Sequence, residues 1–189
     1  MKIIDMKIVV VGNPWKNWIF VKIFTDEGIE GLGECTGGLM TAPNEGSLKE
    51  LKSRIIGRDP TRVNELIDFV RKTLFLSRGG NALSGIEMAC WDIIGKTCGR
   101  PLYQLLGGKV REKIRVYANG WYQGPREPQA FAEKAAQMVE AGYTALKFDP
   151  FGKAYKFMSR EEEILSMDIV RAVRRTVGEQ ADLMIEAHD

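Results

Sequence analysis

The residues best suited to chemistry stand at the end of the sequence, in the run Met184-Ile185-Glu186-Ala187-His188-Asp189. An apolar segment typical of a buried strand leads into a carboxylate and the only histidine of the chain. In a strand, residues two apart point to the same side, so we expect Glu186 and His188 to project together. A carboxylate is a hard oxygen ligand suited to Mg²⁺, and an imidazole can give a proton to a leaving hydroxyl. The alternative is a chance pair at the end of a strand.

A second pair of charged residues, Lys147 and Asp149, flanks Phe148 in the segment Thr144–Phe148 and just beyond it. The spacing predicts an amine and a carboxylate on one face, either as an acid/base pair or beside a metal ion, with the pKa of the lysine lowered by burial. A structural ion pair at a strand end is the simpler interpretation. Asn119 lies at the corresponding place after an earlier strand.

The elements that must position these residues alternate between strand and helix. Strands are predicted at 114–117, 144–148 and 183–187. Helices are predicted at 127–140, and from a capping box of Ser159 and Glu162 to Gly178. This βαβαβ order predicts a parallel sheet, whose active sites lie at the carboxyl ends of the strands. The order fits the start of either a doubly wound sheet or a (β/α)8 barrel, and neither would be complete. We therefore expect the sequence to be the N-terminal part of a longer enzyme.

The first half of the chain predicts a different order of elements, with the strands first and the helices after them. Residues 2–11 and 18–34 predict strands of an antiparallel meander that turns at residues 26–28. Helices are expected to begin at a capping box of Ser47 and Glu50, at Asp59-Pro60, and at about Asn81. The pattern changes near residue 110, which predicts an α+β domain at 1–110 and a parallel α/β domain at 111–189.

Composition excludes several classes of protein. The 189 residues carry a formal net charge of +2, with 44% hydrophobic and 28% charged residues, as in ordinary globular proteins. No basic face or long apolar run predicts a nucleic-acid or membrane partner. The three cysteines lack metal-type spacing and are interpreted as reduced thiols of a cytoplasmic protein, with Cys90 in the core.

One stretch resembles a known family. The run Leu83-Ser84-Gly85-Ile86-Glu87-Met88-Ala89-Cys90-Trp91-Asp92-Ile93-Ile94-Gly95-Lys96, continued by Gly99-Arg100-Pro101-Leu102-Tyr103-Gln104-Leu105-Leu106-Gly107-Gly108, is similar to the signature of the enolase superfamily. It resembles the mandelate racemase and muconate lactonizing branch, in particular acid-sugar dehydratases of galactonate and gluconate type. The resemblance implies an α+β capping domain followed by the first part of a modified (β/α)8 barrel.

The resemblance also implies roles for individual residues. Glu186 would be the first of three carboxylate ligands to an essential Mg²⁺, and His188 would protonate the departing hydroxyl. Lys147 would stand at the end of the second barrel strand, where many racemases have a further lysine in the place of Asp149. Two loops would close over the barrel and contact the substrate; the residues expected to do so are Trp15, Trp18, Thr36 and Asn44.

Three functions stay open at this point. The first is dehydration of an aldonate to a 2-keto-3-deoxy acid through removal of the α-proton. The second is a racemase or epimerase of the same superfamily, and the third is a non-catalytic module. The remaining metal ligands and the base would lie beyond Asp189, so the 189-residue chain alone is expected to be inactive. We expect a small-molecule substrate and a homo-oligomer.

Overall fold

The computed structural model describes residues 1–12, 16–73 and 80–187. The chain divides into two compact units, Met1–Val110 and Arg111–Asp189. Each has its own hydrophobic core. In the described part of the chain, no helix combines the length and apolar character needed to cross a membrane.

The first unit is built on a three-stranded antiparallel sheet. Its strands are β1 (Ile3–Gly12), β2 (Asn17–Thr25) and β3 (Glu30–Glu34), which lie side by side in chain order. Gly28, at the turn between β2 and β3, has a φ of 78°, a conformation that glycine adopts at no steric cost. The predicted meander is therefore confirmed.

In the described part of the first unit, four helices follow the sheet: α1 (Thr41–Ile55), α2 (Val63–Thr73), α3 (Gly80–Thr97) and the short α4 (Leu102–Leu105). Two predicted helix starts are wrong. Ser47 lies inside α1, where its hydroxyl donates to the Pro43 carbonyl at 2.9 Å. Asp59 accepts bonds from the backbone N–H and the hydroxyl of Thr61, which stabilises a turn that precedes α2.

Helix α3 packs directly on β3 because the contact positions have almost no side chain. A Cβ placed on Gly33 would lie 1.9 Å from the Gly85 carbonyl oxygen, and one on Gly31 would lie 2.0 Å from the Ala89 carbonyl oxygen. Cys90, on the same helix, is fully buried, as predicted. The backbones of strand and helix thus approach more closely than any larger residue would permit.

The outer edge of β3 is covered by polar side chains of α3. The Leu32 N–H donates to Asp92 Oδ2 at 2.9 Å, and Lys96 Nζ donates to the Glu30 carbonyl at 2.7 Å. Lys96 also pairs with Asp92. These bonds satisfy backbone groups that an edge strand otherwise leaves open to another chain.

The second unit contains α5 (Pro128–Glu140), β4 (Ala145–Phe148), α6 (Arg160–Val177) and β5 (Asp182–Ile185), with β4 and β5 parallel. The predicted strand at 114–117 is not formed. Only Ala118 bridges to Leu146 on β4, while Ile114 and Val116 remain 81% and 63% exposed. Without a neighbour along their length, those residues lack the ladder of hydrogen bonds that defines a strand.

Helix α6 begins at a capping box. Ser159 Oγ accepts from the Glu162 N–H at 3.2 Å, and the Glu162 carboxylate accepts from the Ser159 N–H at 2.9 Å. On the buried side of the helix, Ile169 and Val173 are fully enclosed in the second core with Phe148. This predicted helix start is confirmed.

Replacing Ser159 with alanine is expected to lower the free energy of unfolding by about 1 kcal/mol, because the Glu162 N–H loses the hydroxyl that caps it. Ser47→Ala is the matched control, since Ser47 belongs to the same Ser-x-x-Glu pattern but lies mid-helix. It is expected to be neutral or to stabilise by about 0.5 kcal/mol. Chemical denaturation measures both, and an equal loss in the two variants would contradict the assignment.

The three thiols are expected to differ in reactivity. Burial raises the pKa of Cys35 to about 11 and that of Cys90 to about 12, so both stay protonated at pH 8, and a protonated thiol is a poor nucleophile. Cys98 is exposed. A disulfide reagent at pH 8 should therefore label one thiol per folded chain rapidly and all three after denaturation. Rapid labelling of two or more in the folded protein would contradict the buried positions.

Candidate active site

The parallel pairing of β4 and β5 brings their carboxyl ends together. Lys147 pairs in register with Met184, and Phe148 pairs with Ile185. The Glu186 N–H then donates to the Phe148 carbonyl at 3.0 Å, so Glu186 continues the ladder by one residue. Because alternate residues of a strand share a face, Glu186 lies on the same side of the sheet as Met184 and Lys147.

Alternation along β4 explains why Lys147 is directed away from the core. Leu146 and Phe148 are fully buried in the second core, whereas Lys147 is only half-buried. The Lys147 N–H donates to the Ala118 carbonyl at 2.8 Å, which fixes the strand on its other side. The apolar residues thus anchor β4, and the side chain between them is presented at the end of the sheet.

Lys147 Nζ forms an ion pair with the Glu186 carboxylate. The two side chains are 23% and 28% exposed, and Lys147 Nζ also lies 5.6 Å from the centre of the Tyr117 ring. The hydrogen bond to Glu186 raises the pKa of Lys147 above its ordinary value, and burial opposes this to a smaller extent. The expected lowering of the lysine pKa by burial is therefore wrong, because the sequence does not show that Glu186 is a neighbour.

Asp149 has a different environment from the one predicted. The ion pair of Lys147 is with Glu186, while Asp149 Oδ1 accepts from the Phe151 N–H at 2.8 Å. That bond forms a turn that directs the chain away from the sheet. Asp149 also lines a cavity of about 180 Å³ between residues 151–158 and Ala187. Its carboxylate therefore contributes to the shape and charge of this cavity.

The other predicted site residues have mixed outcomes. Trp15 and His188 lie outside the described residues. Thr36 lies in the loop after β3, where its hydroxyl accepts from the Ile19 N–H at 3.1 Å. Trp18 belongs to β2, because its pairing with Val11 extends the sheet. Trp18 thus agrees with the strand predicted from residue 18 and not with the substrate loop, whereas the loop predicted at Asn44 is wrong.

Asn44 lies in α1, which begins at Thr41. Its Nδ2 atom is buried and has no hydrogen-bond partner among residues 1–12, 16–73 and 80–187, and a buried amide donor of this kind is costly to leave unsatisfied. Nearby, Asn17 Nδ2 donates to the Thr41 hydroxyl at 3.1 Å, which joins the start of β2 to the start of α1. The hydrogen bond from Asn17 to Thr41 links the two segments whose residues were expected to contact the substrate.

Sequence reasoning missed two residues next to the site. Trp121 Nε1 donates to the Lys147 carbonyl, and Arg126 Nε donates to the Pro150 carbonyl, both at 3.0 Å. The available signal was an aromatic and basic segment, Trp121-Tyr122-Gln123-Gly124-Pro125-Arg126, which is separated by three residues from the strand predicted at 114–117. A loop in that position of a parallel fold lies beside the site.

A metal site can be built only in part from the described residues. Within residues 1–12, 16–73 and 80–187, no group of three or more His, Cys, Asp or Glu side chains could hold a metal ion. Glu186 offers one half-buried carboxylate at a strand end, the type of oxygen ligand that Mg²⁺ takes. Glu186 thus fits one position of a magnesium site.

Comparison with known proteins places the chain in a family through its first unit. Residues 5–107 match the profile described as the mandelate racemase / muconate lactonizing enzyme, N-terminal domain. The chain belongs to this family. The resemblance seen in the segment from Leu83 to Gly108 is therefore confirmed, and the family belongs to the enolase superfamily.

Relatives extend the match into the second unit. The chain is 42% identical over 179 residues to a D-gluconate dehydratase of Thermoproteus tenax, covering 92% of this chain and 36% of that protein. It is 38% identical over 183 residues to a D-gluconate/D-galactonate dehydratase of Picrophilus torridus, covering 93% and 46%. The crystal structure of an enolase superfamily member from Salmonella Typhimurium superposes with a TM-score of 0.88 at 35% identity, covering 99% and 55%. The chain thus spans about half or less of these relatives.

Proposed function

We propose that the whole protein is a magnesium-dependent hydro-lyase that converts an aldonate to a 2-keto-3-deoxy acid. The support comes from relatives named as gluconate and galactonate dehydratases. The observation that carries the proposal in this chain is the ion pair of Lys147 with Glu186 at the carboxyl ends of parallel strands. In this proposal the second unit is the first part of a (β/α)8 barrel, and the site lies at the end of the barrel where active sites form.

Three residues of the chain, Glu186, Lys147 and His188, have defined tasks in the proposed reaction. Glu186 would hold Mg²⁺, which when bound stabilises negative charge that develops on a substrate carboxylate. Lys147 provides a further positive charge at the same place and fixes the orientation of Glu186. His188 would donate a proton to the β-hydroxyl, which leaves as water. The base that removes the α-proton would come from outside these 189 residues.

A racemase is the second candidate from the sequence. It would need a base on each face of the substrate, and Asp149 stands where many racemases of this family have a second lysine. Lys147 has no second lysine at position 149, and its charge is paired with the Glu186 carboxylate. The dehydratase proposal accounts better for this arrangement. Trp15, Trp18, Thr36 and Asn44 are proposed to contact the substrate, an acid sugar.

Replacing His188 with asparagine in the whole protein is expected to lower the dehydration rate at least about 100-fold, because the leaving hydroxyl loses its proton donor. Exchange of the α-proton with solvent deuterium should persist. NMR of the substrate in D₂O measures both processes in one sample. Unchanged dehydration would remove His188 from the reaction, and exchange without dehydration in the unaltered protein would favour the racemase.

A further inference from the structure

The loop after Ala118, residues 119–127, has two side-chain donors that hold the carboxyl end of β4. Trp121 Nε1 donates to the Lys147 carbonyl and Arg126 Nε donates to the Pro150 carbonyl, each at 3.0 Å. Lys147 and Asp149 both lie in the segment that these two bonds delimit. Both bonds come from the 119–127 loop, and together they hold the backbone of residues 147–150 in place.

Trp121 cannot easily change its orientation. Its ring contacts three other aromatic rings edge-on, with centroid distances of 5.6 Å to Tyr122, 6.2 Å to Phe131 and 5.3 Å to Phe148. Phe148 and Phe131 belong to the second core, so the indole packs directly on close-packed buried side chains. The indole N–H is thus held in place for the Lys147 carbonyl.

Arg126 belongs to a network that reaches α6. Its Nη2 donates to Ser166 Oγ at 2.7 Å, and Ser166 is only 4% exposed. Ser166 Oγ in turn lies 3.2 Å from the Pro150 carbonyl and 2.7 Å from the Glu162 carbonyl. Buried polar groups that satisfy one another in this way make the local structure rigid. The network ties the start of the 150–158 loop to the helix behind it.

Gly152 shows how closely the guanidinium group packs on this loop. A Cβ on Gly152 would lie 2.7 Å from Arg126 Cδ and 2.8 Å from its Nε. The φ of Gly152 is 69°, which other residues rarely adopt. Arg126 therefore bonds to the loop through Pro150 and is in van der Waals contact with the backbone two residues further along.

We infer that Trp121 and Arg126 are positioning residues for the reaction, which hold Lys147 on Glu186 and Asp149 at the cavity through the backbone carbonyls of Lys147 and Pro150. Neither side chain needs to contact the substrate. The inference rests on the proposed function, since it assigns these bonds a consequence for turnover. A misplacement of about 1 Å in a catalytic site can lower a rate about 100-fold.

The first test compares Arg126→Met and Trp121→Phe with the control Tyr122→Phe in the whole protein. The first two changes remove the donors but keep much of the apolar volume, whereas the control removes a hydroxyl from the same aromatic cluster. We expect kcat to fall about 10- to 100-fold in both donor variants, with KM changed less than about threefold. In the control, kcat should stay within about twofold. Arg126→Lys keeps one donor and should recover part of the loss.

The second test does not depend on activity. Residues 150–158 contain two trypsin sites, Lys153 and Lys156, so the rate of cleavage there, identified by mass spectrometry, reports how firmly the loop is held. Arg126→Met is expected to raise this rate about tenfold, because the loop opens more often. Tyr122→Phe should not change it, and Arg126→Lys should lie between the two.

The two tests together separate the possible outcomes. Faster cleavage with unchanged kcat would make Arg126 a purely structural residue and overturn the inference. Unchanged cleavage in Arg126→Met and unchanged kcat in Trp121→Phe would also overturn it. If Arg126→Met does not fold, kcat and the cleavage rate of Arg126→Lys decide. A partial fall in kcat with faster cleavage supports the inference, and an unchanged kcat overturns it. If the unaltered protein dehydrates no aldonate, the proposed function fails, and the cleavage rates alone still show whether Arg126 holds the loop.

Discussion

Replacing Glu186 with glutamine in the whole protein is expected to lower kcat/KM for dehydration about 1,000-fold. The change removes one negative charge from the strand end and leaves Lys147 without its ionic partner. Loss of a preorganised electrostatic contact at a reacting centre costs about 100- to 1,000-fold, and loss of a metal ligand adds to this cost. Binding of Mg²⁺, measured by calorimetry, should weaken in parallel.

Asp182→Asn is the matched control for this change. Asp182 lies on the same strand as Glu186 but at its amino end, where its carboxylate pairs with Arg115 Nη1 at 2.6 Å. Both partners are largely exposed, and exposed pairs contribute little to stability. The control should keep kcat/KM within about threefold. Equal losses in the two variants, or full activity in Glu186→Gln, would contradict the assigned role of Glu186.

Replacing Gly33 with alanine is expected to lower the free energy of unfolding by about 3 kcal/mol. The added methyl would overlap the backbone of α3, at 1.9 Å from the Gly85 carbonyl oxygen and 3.0 Å from the Ala89 nitrogen. Backbone atoms cannot rotate away as a flexible side chain can, so β3 and α3 must separate. Overpacking of a core costs about 1–3 kcal/mol, and overlap with a backbone belongs at the upper end.

The control for Gly33→Ala is Gly46→Ala. Gly46 lies inside α1, and a Cβ at this position would meet no atom within 4 Å. Alanine is the better helix former, so this variant should gain about 0.5–1 kcal/mol. Chemical denaturation of both variants measures the difference directly. A loss below about 1 kcal/mol in Gly33→Ala would show that the strand and helix are not in such close contact.

The limits of sequence reasoning are clearest in the two Ser-x-x-Glu patterns. Ser159 begins a helix and Ser47 does not, although the local signal is the same. Before Ser47 the chain can continue the helix to Thr41, and the Ser47 hydroxyl bonds back to the Pro43 carbonyl instead. Before Ser159 the chain cannot be helical, since Lys156 has a φ of 62°. The residues upstream decide whether a capping pattern acts as a cap.

The candidate site was predictable in position but not in its pairings. Alternation along each strand was enough to place Lys147 with Asp149, and Glu186 with His188, on one face at the end of their own strand. The contact between Lys147 and Glu186 depends on the register between strands that are separated by a whole helix, which the local sequence does not specify. For the same reason, the bonds from Trp121 and Arg126 to the end of β4 had no signal beyond the composition of their loop.

The most direct measurement of the central proposal is product formation by the purified protein in its natural full length. The protein is incubated with a set of aldonates and Mg²⁺, and 2-keto-3-deoxy acids are identified by mass spectrometry, with a chelator-treated sample as control. The account predicts loss of one water from at least one aldonate, abolished by the chelator and restored by Mg²⁺. Epimerised substrate without loss of water, or no change in any aldonate, would contradict it.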